Sequence, residues 1–162
     1  MTPLGSRSSR PRRSVLLEQT WPERPAVDAG GGSPVVGSRI VVECHDSAIS
    51  EAAAHVLRDA GHEVAVCAGP DEGHWCPLLD GGRCALVEDG DLVVNLLGFG
   101  DADRREVLPL LRARYPDIPV MAEASTGERD EHAAVMEGVY VIDSPIRRDR
   151  LLAQVAAAES TA

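Results

Sequence analysis

Apolar residues along this chain fall into two alternating patterns from residue 39 onward. Short runs with almost no polar interruption alternate with longer stretches in which apolar positions recur every three or four residues. The most continuous run is Leu92, Val93, Val94, Leu96 and Leu97, closed by Asp91 on one side and Gly98 on the other. A run of this kind reads as the central strand of a sheet covered on both faces, expected over residues 91–97. Four further strands are expected at 39–44, 62–67, 118–122 and 139–143. Between them the helical spacing predicts a helix from Ser47, as N-cap, to Ala60, with Ile49, Ala53, Val56, Leu57 and Ala60 on its apolar face. A second helix spans 104–115 around Val107, Leu108 and Leu111, with Pro109 either kinking it or marking a later start. Two more cover 128–137, ended by Gly138, and 147–158. Strands that alternate with helices imply an α/β domain with a parallel sheet and right-handed crossovers.

What precedes residue 37 differs in kind. It is rich in Ser, Arg, Pro and Gly and closes on Ala29-Gly30-Gly31-Gly32-Ser33-Pro34. Such a stretch buries too little apolar surface to offset its ordering entropy, so residues 1–36 are expected to be a disordered tail and residues 37–160 the folded domain. Aromatic residues make up 3% of the chain, leaving Val, Leu, Ile and Ala to build the core.

Charge narrows the function. The net charge is −10. Residues 1–38 carry five Arg against Glu18, Glu23 and Asp28, a balance of +2, so the remainder carries −12. A body this acidic repels phosphate backbones, and nucleic-acid binding by the folded part is not expected. All 16 cationic residues are Arg, which removes every mechanism that needs a lysine amine. No run approaches the length of a membrane span, and the expectation is a cytoplasmic protein.

The motifs Arg39-Ile-Val-Val-Glu43, Leu57-Arg-Asp-Ala-Gly-His-Glu-Val64, Asp91-Leu-Val-Val94, Arg114-Tyr-Pro-Asp-Ile-Pro-Val120, Glu137-Gly-Val-Tyr-Val-Ile142 and Ser144-Pro145, in this order, resemble the receiver domain of two-component response regulators over residues 39–158. The resemblance implies a flavodoxin-like three-layer sandwich with a five-stranded parallel sheet in the order 2-1-3-4-5. In that family an acidic pair after the first strand holds Mg²⁺ and an aspartate ending the third strand accepts a phosphoryl group. A Thr or Ser ending the fourth strand senses it, and a lysine before a proline after the fifth strand pairs with it. Phosphoryl transfer rests on positioning and charge neutralisation, so each part matters. Here Glu43 matches one acid and Cys44 stands for the other. Leu96 occupies the phosphoacceptor position, or Asn95 if the register slips by one; Ala124 stands for the Thr or Ser, and Ser144 for the lysine. The resemblance therefore implies a pseudo-receiver: a non-catalytic signalling module that keeps the scaffold, is not phosphorylated on aspartate, needs no cofactor and acts through protein contacts. Its partner would be another protein or a second copy, docked through residues 128–157, which include Tyr140, Arg147, Arg148 and Arg150. A rival placement of the acceptor at Asp101 or Asp103 requires a different register for the third strand.

The stretch Cys67 to Cys84 supplies an alternative of another class. Cys67, His74, Cys76 and Cys84, with Cys44 and His45 on the neighbouring strand, are soft ligands in a segment rich in Gly and Pro. The alternative is a zinc or iron–sulfur site, or a Cys76–Cys84 redox pair, in a metal- or thiol-responsive protein. The spacing contains no CxxC knuckle, and ordinary buried thiols give the same pattern.

Overall fold

The computed structural model describes Trp21, residues 37–71 and residues 75–161. The expected alternation is present. Strands β1 (Arg39–Glu43), β2 (Glu63–Cys67), β3 (Leu92–Asn95), β4 (Val120–Ala124) and β5 (Tyr140–Asp143) form one sheet. All neighbouring pairs are parallel, in the order 2-1-3-4-5. This is the flavodoxin-like arrangement, with β1 and β3 flanking the point where the winding reverses.

The helices cover both faces. Helix α1 (Ser47–Asp59) and helix α6 (Arg148–Glu159) lie on one side. There Ile40, Val42, Leu92, Val94, Met121 and Ile142 meet Ala54, Leu57, Leu151 and Val155. Helix α3 (Ala102–Arg114), the one-turn α2 (Ala85–Glu88) and the loop that precedes α2 cover the other side. There Val41, Val93, Val120 and Ala122 pack on Leu78, Leu86, Val107, Leu108 and Leu111. Strand residues alternate between the two clusters because successive side chains of a strand point to opposite faces.

Several local expectations change. The cap of α1 is Asp46, not Ser47: its Oδ1 accepts the N–H groups of Ala48 and Ile49 at 2.9 and 3.0 Å. The buried face is Ser50, Ala53, Ala54 and Leu57, and Ile49 is left 44% exposed. Helix α3 begins earlier than expected, capped by Asp101, and runs through Pro109 as one helix. The single helix expected over 128–137 is two, α4 (Thr126–Glu131) and α5 (Ala133–Met136), divided at His132. His132 stacks on Phe99, with ring centroids 4.6 Å apart. Strand β3 ends at Asn95, so Leu96 and Leu97 follow it rather than complete it. Among the described residues no helix is long and apolar enough to cross a membrane.

Candidate functional site

The carboxyl ends of β1 and β3 set the geometry of the site. Parallel pairing places Glu43 opposite Asn95, and the Leu96 N–H donates to the Glu43 carbonyl at 2.7 Å. Glu43 and Asn95 share the face of α2 and α3, and the Asn95 Nδ2 donates to Glu43 Oε2 at 2.7 Å. The Asn95 Oδ1 accepts the N–H of Leu97, which turns the chain after the strand. Glu43 is 2% exposed and Asn95 5%. Burial pushes the Glu43 carboxyl up to about 7, and the Asn95 amide offsets only part of that rise.

Cys44 and Leu96, one residue on from this pair, point to the opposite face. Both are buried in the cluster under α1 and α6. The Cys44 Sγ–H donates to the Asp46 carbonyl. Its thiol is raised first by burial; the hydrogen bond to the Asp46 carbonyl opposes the rise, the charges of Asp46 and Glu123 add to it, and Arg104 opposes it. The receiver-like positions are thus divided by the sheet: the polar pair on one side, the thiol and the leucine on the other.

Ala124 and Ser144 close the next edge, where the Ser144 N–H donates to the Ala124 carbonyl at 3.2 Å. Ala124 is fully packed and Ser144 is exposed. The Ser144–Pro145 peptide is cis. Glu123 accepts the N–H of Ile146 at 3.0 Å and ties the segment after β5 back to β4. Asp143 is held by Arg129 and Arg150. Asp101 and Asp103 stand at the start of α3, and the Asp101 carboxylate is engaged as its N-cap, accepting from Asp103 and Arg104. Arg104, which sequence reasoning passed over, reaches Asp71 at 3.6 Å near the Cys44 end of the site.

Three of the candidate metal or redox residues converge. Cys76 is buried in the core cluster of the α2–α3 face, with Cys67 and Cys84 packed against it, and all four cysteines are free thiols. Pairing puts Cys67 opposite Glu43. Burial pushes the Cys67 thiol up to about 12, and it also raises Cys76 and Cys84; the Glu43 charge adds to the rise in each. Thiols held neutral are weak nucleophiles and weak metal ligands. Cys44 lies across the sheet from the other three, so the expected grouping of Cys44 with the 67–84 segment does not form. His74 lies outside the described residues. Among the described residues no group of three or more His, Cys, Asp or Glu is arranged to hold a metal ion.

The opposite end of the sheet carries two features that sequence reasoning did not anticipate. A cavity of about 340 Å³ lies between the end of α3 and the starts of β4 and β5, lined by Arg112, Tyr115, Ile118, Pro119 and Tyr140 among others. It is remote from Glu43 and Asn95. Beside the starts of β1 and β3, Trp21 is seated on the core cluster of the α2–α3 face. Its signal in the sequence is a single large aromatic side chain in a segment without strand or helix periodicity.

No protein-family model and no curated protein matches the chain. Solved structures do. NtrX from Brucella abortus is 22% identical, with a TM-score of 0.61 over 77% of this chain and 27% of its own. A response regulator receiver domain protein from Clostridium thermocellum is 19% identical, with a TM-score of 0.60 over 76% of this chain and 95% of its own. The chemotaxis protein CheY4 of Vibrio cholerae is 18% identical, with a TM-score of 0.56 over 75% and 98%. The chain spans about a quarter of the length of the NtrX chain it matches. At these identities the likeness establishes the receiver fold.

Proposed function

We propose that this chain is a pseudo-receiver: a non-catalytic, phosphorylation-independent regulatory module that works through protein contacts in the cytoplasm. The observation that carries the reading is the buried Glu43–Asn95 hydrogen bond at the ends of β1 and β3, with Leu96 buried on the opposite face of the sheet. Glu43 and Asn95, at the ends of β1 and β3, are buried and spend their polar groups on each other. A phosphoryl acceptor must be an exposed carboxylate with cations at hand. Leu96 offers no nucleophile, Asn95 spends its amide on Glu43, and Ser144 brings no charge where the family has lysine. The rival acceptor Asp101 is spent on capping α3. Partner contacts are assigned to residues 128–157, for another protein or a second copy of the chain. In that region Tyr140 is half-buried and Arg147 is exposed, while Arg150 is tied to Asp143.

The test is incubation of the full chain with acetyl phosphate and Mg²⁺, followed by intact-mass measurement and sedimentation. The expected result is no added phosphoryl group and an unchanged association state. An acid-stable, hydroxylamine-sensitive mass increment of one phosphoryl group would overturn the reading. The metal- or thiol-responsive alternative, through Cys67, His74, Cys76 and Cys84, is not favoured by the raised thiols, and metal analysis of the same sample addresses it directly.

A further inference from the structure

Most arginines of the domain are engaged by its own carboxylates. Arg39 pairs with Glu63, Arg58 with Glu51, Arg104 with Asp71 and Arg148 with Asp59. Arg83 is held by Glu88, and Arg129 and Arg150 by Asp143. Arg112 differs. It is half-buried in the wall of the cavity of about 340 Å³ at the end of α3, and among the described residues it makes no ion pair. Its one hydrogen bond, from Nη1 to the Val135 carbonyl at 3.3 Å, fixes the guanidinium beside the end of α5 and leaves most of its five N–H donors free. Gly138, which precedes β5 in the left-handed region (φ +73°), keeps that group uncovered, since a Cβ there would sit 3.1 Å from Arg112 Nη2. Asp117, on the turn after α3, lines the same cavity and is exposed. Among the described residues it makes no ion pair either, with Arg112 or with any other group. Ile118, Pro119 and Ala158 supply apolar lining, and Tyr140 an aromatic ring.

We propose that this cavity is a binding site for a small zwitterion: an α-amino acid with an apolar side chain. A cation and a carboxylate that line one cavity without pairing stand too far apart to neutralise each other, and a ligand that carries both signs bridges them. The Arg112 guanidinium presents parallel N–H donors to a carboxylate, the geometry in which this pair is strongest, and the Asp117 carboxylate accepts from an ammonium. A simple anion would meet the repulsion of Asp117, and a simple cation that of Arg112. Exposed charge pairs contribute little by themselves, so the apolar lining has to supply part of the affinity, by burying the side chain of the ligand. The volume lies at the small end of the range for ligand pockets, with few polar groups set in an apolar wall. The cavity is at the opposite end of the sheet from Glu43 and Asn95, and the inference stands whether or not that end takes a phosphoryl group.

The test is a titration of the isotope-labelled full chain with L-leucine, followed through its backbone amide NMR signals. Expected are saturable shifts confined to residues 117–118, 138–140 and 158–161. Isovalerate, which lacks the ammonium, and isoamylamine, which lacks the carboxylate, are each expected to bind about tenfold more weakly or worse, the effect of losing one charged hydrogen bond. Arg112→Met should weaken leucine by a similar factor. Because Arg112 also holds the end of α5, the exposed Asp117→Asn is the second variant. It should weaken leucine about tenfold while isovalerate binds no less well and the far-ultraviolet circular dichroism is unchanged. No shift at these residues up to about 10 mM leucine would overturn the proposal. So would isovalerate binding as tightly as leucine, which would reduce the cavity to a carboxylate site, or isoamylamine doing so, which would leave Arg112 without a part.

Discussion

Glu43 shows what happens to a carboxyl when its neighbours carry no charge. In this chain the surrounding groups are the Asn95 amide and three thiols that burial keeps protonated. Ionising Glu43 therefore places an uncompensated charge in the core, and its proton leaves only near pH 7 instead of near 4.5. A group whose folded pKa is raised contributes stability that is fully present below its unfolded pKa and lost as pH rises through the folded one. The span from 4.5 to about 7 corresponds to a loss of roughly 3 kcal/mol by pH 8. Glu43→Gln keeps an oxygen to accept from Asn95 and never ionises. Urea unfolding is expected to show it more stable than wild type by most of that amount at pH 8, with the gap closing toward pH 5. Equal stabilities at pH 8 would show that Glu43 finds a compensating charge.

Elements were legible where a pattern repeats and less so where one residue decides a boundary. The five strands stand out because both faces of a parallel sheet are apolar, so each strand reads as a run. The start of α1 turned on Asp46 against Ser47. The buried face keeps Ala53 and Leu57 but takes Ser50 and Ala54 in place of Ile49, which packing and not the cap decides. The break at His132 has no local signal, since its ring stacks on Phe99 from a distant loop. The start of α4, by contrast, is written locally as a capping box: Ser125 Oγ accepts the Glu128 N–H, and Glu128 Oε2 accepts the Ser125 N–H at 2.8 Å. These bonds hold the Glu128 carboxyl below its usual range, so the cap is intact above the ordinary glutamate pKa and fades as pH falls through the lowered one. Ser125→Ala is expected to cost about 1 kcal/mol and to speed amide exchange in residues 126–131, while β4 keeps its protection. Uniform loss of protection across β4 would mean that the cap supports the strand rather than the helix alone.

At the scale of the whole molecule, the parallel sheet was legible from the element order, and its order 2-1-3-4-5 from the family resemblance. The site was legible in part. Glu43 and Asn95 meet as their strand positions imply, but the separation of Cys44 and Leu96 onto the other face follows from strand alternation and could have been counted from the sequence. Trp21 could not, since its partner Leu86 is 65 residues away and no periodicity connects them. The retained scaffold carries its own consequence. On the proposed reading, the pocket residues alone keep this fold from taking a phosphoryl group, so supplying them should supply the chemistry. Leu96→Asp alone places a carboxylate in an apolar cluster that includes Cys44 and Val94, and is expected to destabilise by on the order of 4 kcal/mol with no phosphorylation. Combined with Cys44→Asp and Ser144→Lys, the new carboxylate gains a metal-binding companion on its own face of the sheet and a cation, while Glu43 stays with Asn95 on the other face. The triple variant is expected to recover much of that stability when Mg²⁺ is added and to take up one phosphoryl group from acetyl phosphate, as read by intact mass. A folded triple variant that stays unmodified would place the cause beyond these side chains, in the path of the backbone after β3, where the Leu97 N–H is held by Asn95.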